Sequence, residues 1–198
     1  MYLFPGAAES TLPQASEIQG ELDLGSTAIG QGEVLATPLE MGLVAATIAD
    51  GGHRPTPSFA LSKPSAGTSA MSESVAHTMR HLMIAVVREG TGTAAAIPGV
   101  TVAGKTGTAE LKSSAELKSS CSSSASESSP TAASSAGKED CQSGESEAAN
   151  TDAWFAAFAP ALDPRVVVCV MLVKDGAGGA TAAPVAREVI EAALPAER

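Results

Sequence analysis

One stretch limits every fold this chain can adopt. Residues 111–150 are about one-third serine and carry few large apolar side chains. Such a segment cannot bury enough surface to offset the entropy of ordering it. It continues a direct repeat, because Ala109–Ser114 and Ala115–Ser120 both read Ala-Glu-Leu-Lys-Ser-Ser. Only Leu111 and Leu117 could dock that repeat against anything. The tract is therefore expected as a mobile, Ser-rich insertion over 111–151. It divides an ordered unit into 28–110 and 152–198. The first 27 residues, punctuated by Pro5, Gly6, Pro13, Gly20 and Gly25, form a poorly defined segment.

The ordered parts carry clear local signals. Thr37-Pro38-Leu39-Glu40 reads as a helix start, with Thr37 as N-cap, Pro38 in the first helical position and Glu40 completing a capping box. Leu39, Leu43, Ala46 and Thr47 recur at helical spacing until Gly51-Gly52 ends the run. Residues 53–70, rich in Pro and Ser, read as a loop or edge segment. A second helix is expected from Ser72 to Glu89, with Val75, Met79, Leu82, Met83 and Val86 as its apolar stripe. Val100 to Ala103 alternates as a strand and leads into Gly104-Lys105-Thr106-Gly107-Thr108. Beyond the insertion, Ala153–Phe158 reads as a strand and Asp163-Pro164 as a turn. The β-branched run Val166–Val173 suits a strand covered on both faces. Pro184–Leu194 reads as a last helix with Val185, Val189, Ile190 and Ala193 inward. Short links favour antiparallel pairing, so the fold class is α+β, an antiparallel sheet with flanking helices.

Charge and cysteine usage exclude several functions. The formal net charge is −10, and phosphate binding needs clustered Lys and Arg, so nucleic acid is not expected as a partner. No apolar run approaches the ~18 residues of a membrane span. Met1–Ser10 has neither a basic start nor a long apolar run, so this chain is expected to carry no signal or anchor. Cys121, Cys141 and Cys169 form no C-x-x-C pair, and no metal or cofactor is expected. Cys169 reads as a small buried hydrophobe. Cys121 and Cys141 bracket the polar tract and remain open between a disulfide and two free thiols.

Three motifs invite other readings. Gly99 to Thr106 fits the phosphate-loop pattern G-x-x-x-x-G-K-[ST], but its strand-like residues lie between the glycines, where that loop needs none. His77 and His81 share a helix face, yet Thr78 stands where a metalloprotease needs Glu, and no third ligand is suggested. Ser135-Ala-Gly-Lys138 matches S-x-x-K within the Ser-rich tract, where nothing would hold the lysine rigidly beside the serine.

Lys105-Thr106-Gly107-Thr108 carries the positive reading. It resembles the third motif of serine penicillin-recognising enzymes, whose set is S-x-x-K, S-x-N and K-T-G. Its neighbours extend the likeness. Ile29-Gly30-Gln31-Gly32 with Thr37-Pro38-Leu39-Glu40-Met41, Ile48-Ala49-Asp50-Gly51-Gly52 and Val87–Ala94 resemble successive segments of class B penicillin-binding proteins. So do Ala103–Ala109, Ala153-Trp154-Phe155, Phe158-Ala159-Pro160, Gly178-Gly179 and Ala183–Ala186. The likeness covers about 28–110 and 152–194. It implies part of a penicillin-binding/β-lactamase-like transpeptidase domain, acting on D-Ala-D-Ala stem peptides of peptidoglycan and on β-lactams.

By that resemblance, Lys105, Thr106, Gly107 and Thr108 bind substrate, and the Thr108 backbone N–H serves the oxyanion hole. Gly107 lets a ligand approach the strand. The acylated serine and the S-x-N motif belong upstream of Ile29, and neither is recognised there; Asn150 is the single Asn. The nucleophile is therefore expected to be absent and the chain inactive alone. The alternative is a non-catalytic interaction module, or half of a complementing pair. The resemblance further implies a parent protein anchored in the cell membrane with an extracytoplasmic domain, possible contact with other cell-wall synthesis proteins, and a role in elongation or division.

Overall fold

The computed structural model describes residues 7–58, 67–111 and 150–194. Its sheet has three antiparallel strands in chain order: β3 (Ala103–Glu110), β4 (Thr151–Ala159) and β5 (Val166–Leu172). β1 (His53–Arg54) and β2 (Thr68–Ser69) form a separate small pair. The β3–β4 ladder runs from Ala103↔Phe158 to Glu110↔Thr151, and the Leu111 N–H closes it on the Asn150 carbonyl at 2.8 Å. The two ends of the Ser-rich tract thus lie side by side. Most of the repeat, Cys121, Ser135, Lys138 and Cys141 lie outside the described residues.

Alternation along β4 divides the core. Ala153, Phe155, Ala157 and Ala159 face one side, where α4 (Ala182–Ala193) packs through buried Ala182, Ala183, Ala186 and Ile190. The inward set expected for this helix holds at Ile190, but Val185 and Val189 are 38% and 44% exposed and Ala193 is exposed as well. Alanines on both surfaces let helix and sheet approach closely, which moves the bulkier valines to the flanks.

The opposite side takes α2 (Pro38–Ala49) and α3 (Glu73–Glu89), with Ala45, Ile48, Met83, Ala103 and Phe158 buried together. Along α3 the expected stripe is buried at Met83 and half-buried at Val86. Val75, Met79 and Leu82 are exposed. Among the described residues no element covers them.

Several local expectations are sharpened. Thr37 caps α2 by accepting from the Glu40 N–H at 3.1 Å. The capping box forms only by half, because the Glu40 carboxylate instead takes Arg54 in two bonds of 2.7 and 2.9 Å. Ser72 caps α3. The strand expected from Val100 begins at Ala103: the Val100 N–H turns back to the Ile97 carbonyl across Gly99, at φ +78°. The β-branched run of β5 has a helix on each side but sits at the sheet edge, so only Val168 is fully buried. α1 (Gly20–Ala28) falls within and just past the segment read as poorly defined; it buries no residue, so no apolar face announces it. No helix among the described residues is long and apolar enough to cross a membrane.

Candidate active site

β3 occupies one edge of the three-stranded sheet. In an antiparallel ladder the backbone groups of alternate residues point to opposite edges. Lys105, Gly107 and Ala109 address β4, as Leu111 does at its end. Gly104, Thr106, Thr108 and Glu110 therefore present N–H and C=O groups to the open edge. Side chains alternate across the faces: Thr106 and Thr108 lie on the α4 side, Lys105 and Gly107 on the α2–α3 side.

The four sequence-predicted site residues are consecutive on β3 and span two pleat repeats. The Lys105 Nζ donates to the Thr106 carbonyl at 2.8 Å, placing an ammonium at the open edge. The Thr106 hydroxyl pairs with the Thr91 hydroxyl at 2.7 Å. Gln31 adds a third partner, its Nε2 donating to the Thr108 carbonyl at 2.8 Å and its Oε1 accepting from the Glu110 N–H at 3.2 Å. Thr91 and Gln31 stand within the segments quoted for the resemblance, but nothing in their local pattern says that they reach β3.

Glycines set the close packing here. A Cβ at Gly104 would lie 2.5 Å from the Phe155 ring, and one at Gly107 would lie 3.1 Å from the Trp154 Cβ. Gly178 and Gly179, in the turn before α4, press on the backbones of β3–β4 and of Thr91 respectively.

Beside the strand runs an apolar groove of about 310 Å³. Met41, Val44 and Ile48 of α2 form one wall and Met79 and Leu82 of α3 the other, with Lys105 as the charged group of its lining. An ammonium at the rim of an open apolar groove is suited to hold an anion where apolar contacts exclude water.

Two of the competing motifs fall among the described residues. Gly104-Lys105-Thr106 continues β3 and opens no helix, so the phosphate-loop geometry is absent. His77 and His81 meet edge-to-face on the exposed side of α3 with their Nε2 atoms 3.2 Å apart. No group of three or more His, Cys, Asp or Glu that could hold a metal occurs among the described residues. Cys169 is a free thiol, half-buried, and burial pushes its pKa up to about 11. It therefore stays protonated and packs as a small hydrophobe.

The antiparallel sheet with helices on both sides, and its Lys-Thr-Gly-Thr edge strand beside a groove, is the α+β arrangement expected from the sequence. Comparison with known proteins gives the family. The penicillin binding protein transpeptidase domain model matches residues 3–126 and 132–191, and the chain belongs to that family. It is 36% identical over 210 residues to the peptidoglycan D,D-transpeptidase PbpA of Mycobacterium tuberculosis, covering 96% of this chain and 35% of that protein. It is 29% identical to the peptidoglycan D,D-transpeptidase MrdA of Acinetobacter baumannii, covering 84% of this chain and 23% of that protein. The structure of penicillin-binding protein A from M. tuberculosis as a ceftriaxone acyl-enzyme superposes with a TM-score of 0.69 at 32% identity, over 94% of this chain and 38% of that one. The D,D-transpeptidase domain from Eggerthella lenta gives a TM-score of 0.53 at 33% identity, over 79% of this chain and 32% of that one. The chain spans about a third or less of the length of these relatives.

Proposed function

We propose that this chain forms one wall of a peptidoglycan D,D-transpeptidase site and does not carry the bond-making serine. The observation that supports it best is the joint presentation of Lys105, Thr106 and Thr108 along an open strand edge next to an apolar groove. In the transfer, a serine hydroxyl attacks the penultimate D-Ala carbonyl of a stem peptide. The carbonyl oxygen becomes an oxyanion, terminal D-Ala leaves with a proton, and an amine of a second stem then takes the acyl group. Lys105 and the Thr106 and Thr108 hydroxyls would hold the terminal carboxylate. The Thr108 N–H, facing the open edge, would donate to the oxyanion. β-Lactams, which acylate the M. tuberculosis relative, would enter by the same contacts.

The open groove favours a docking role within that reading. Exposed Val75, Met79 and Leu82 want a cover. The portion of the transpeptidase domain that this chain does not span is the natural one, carrying S-x-x-K and S-x-N, so the chain would act as half of a complementing pair. A fluorescent penicillin tests both statements. We expect no covalent label on the chain alone. Label should appear on an added nucleophile-bearing portion only when the chain is present, and fall at least tenfold with Lys105→Ala. Label on the chain itself would sink the proposal that it lacks a nucleophile. A pair that labels equally with and without the chain would leave only a non-catalytic interaction module.

A further inference from the structure

Gln31 reaches the open edge of β3 from 77 residues away in sequence. Its amide engages the Thr108 carbonyl at 2.8 Å and the Glu110 N–H at 3.2 Å. Those groups sit two residues apart on one edge, the pair that a neighbouring strand would use. One side-chain amide, with its donor and its acceptor, thus replaces a peptide group. Its own backbone is fixed for the task. Gly30 and Gly32, on either side, take φ of +78° and +68°, a left-handed geometry that glycine adopts without strain. The Gln31 N–H donates to the Ser26 carbonyl at 2.9 Å, near the C-terminal end of α1. The contact falls where the β3–β4 ladder stops, at Glu110↔Thr151. A strand end with one free edge frays first, and fraying here would rotate the peptide planes around Thr108.

We propose that Gln31 is a positioning residue for the transpeptidase site. It pins the end of β3, fixes the aim of the Thr108 N–H and hydroxyl, and ends the edge open to an extended peptide or β-lactam at Thr108. The proposal rests on reading β3 as the substrate wall. The Thr108 carbonyl keeps a second lone pair, so a bound ligand's amide can share it without displacing Gln31.

Amide hydrogen exchange and carbonyl chemical shifts of the full chain test it, using Q31A and Q31E. In Q31A the Glu110 amide should exchange about tenfold faster, as befits loss of one hydrogen bond, and the Thr108 carbonyl resonance should move. Amides at the far end, Ala103 to Lys105, should not change. Q31E keeps an acceptor for the Glu110 N–H and has no donor for the Thr108 carbonyl, so it should restore the exchange rate and not the shift. Equal Glu110 exchange in native and Q31A, or a uniform acceleration along β3, would overturn the proposal. Titration with penicillin G separates the two claims. Shifts at Thr106 and Thr108 that shrink severalfold in Q31A support positioning, and equal shifts in both proteins overturn it. If Gln31 governs Glu110 exchange but penicillin G moves no β3 resonance, the substrate-wall reading fails, and a role in the transpeptidase site fails with it.

Discussion

The two faces of the sheet differ in completeness. On one, α4 lays buried alanines and Ile190 against Ala153, Phe155, Ala157 and Ala159, and the contact is closed. On the other, α2 and α3 pack against the sheet at Ala45, Ile48, Met83 and Phe158 but leave Leu82 57% and Val75 50% exposed. The closed face behaves as the core of a folding unit. The half-open face, among the described residues, keeps apolar side chains in solvent, and the proposed docking role rests on it. The candidate site lies between them, on the edge strand that both faces share.

Truncating each face should separate these roles most strongly. Phe155 is fully buried on the closed face. Phe155→Ala should cost ~3–5 kcal/mol in urea unfolding of this chain, through lost burial and a cavity. Leu82→Ala should change the same measurement by no more than ~0.5 kcal/mol, as surface substitutions do. The order should change once the groove is covered. With the nucleophile-bearing portion present, Leu82→Asp should weaken association by more than tenfold, because it puts a carboxylate into an apolar contact. Equal costs for Phe155→Ala and Leu82→Ala in the chain alone would erase the distinction between the faces.

A smaller effect is expected where the closed face meets the site. Gly104 lies over the Phe155 ring, and an added Cβ would overlap it. Gly104→Ala should destabilise by ~1–3 kcal/mol through overpacking. It should also displace β3, so amide resonances of Thr106 and Thr108 would shift together. A Gly104→Ala protein with native stability and native β3 resonances would show that the face yields, contrary to its close packing.

These faces were unequally legible in the sequence. The cap at Thr37, the glycine stop after α2 and the Lys105–Thr108 motif follow from local signals, whereas the Ser72 cap and the pairing of β3 with β4 across the Ser-rich tract come from the structure. The side on which each apolar residue ends does not. A helical stripe reports which residues share a helix face, but whether that face is covered depends on the rest of the domain. Val75, Met79 and Leu82 therefore read as core and stand exposed. For α4, size decided the outcome: branched residues look like the inward choice, yet the alanines of β4 accept only a close helix. At the site, Lys105, Thr106, Gly107 and Thr108 were visible because they are consecutive on one strand. Gln31 and Thr91 carry no local sign of a role at β3, since their contacts to it arise from tertiary folding.

The end of α2 near the half-open face gives a modest effect. Thr37 holds the first turn by accepting from the Glu40 N–H. Thr37→Ala should cost ~1 kcal/mol. The substitution removes the capping Oγ1 and one methyl group, and the cap is the larger loss. Circular dichroism on urea unfolding would detect a loss of that size. Because α2 contributes to the groove, the same substitution should also weaken the complementing association. If stability falls and association does not, α2 is not part of the docking wall.

The smallest expected effect is the most specific to pH. Arg54 holds the Glu40 carboxylate below its ordinary value, chiefly through its two hydrogen bonds and then through charge, while partial burial works against it. A carboxylate with a depressed folded pKa binds fewer protons folded than unfolded near that range. The stability it contributes is therefore complete above the ordinary value of 4.5 and is lost as pH falls through the depressed one. Both side chains are about 30% exposed, so solvent screening limits the pair to ~1 kcal/mol. Arg54→Met should lower stability by that amount at pH 7 and by less as pH falls through the depressed value, where Glu40 takes up its proton. The pair ties α2 to β1 and touches neither α4 nor β4. The same variant should therefore leave the cost of Phe155→Ala additive, to within ~0.5 kcal/mol. Strong coupling between the two substitutions would mean that the faces are not independent, and the contrast between a finished and an unfinished side of the sheet would have to be given up.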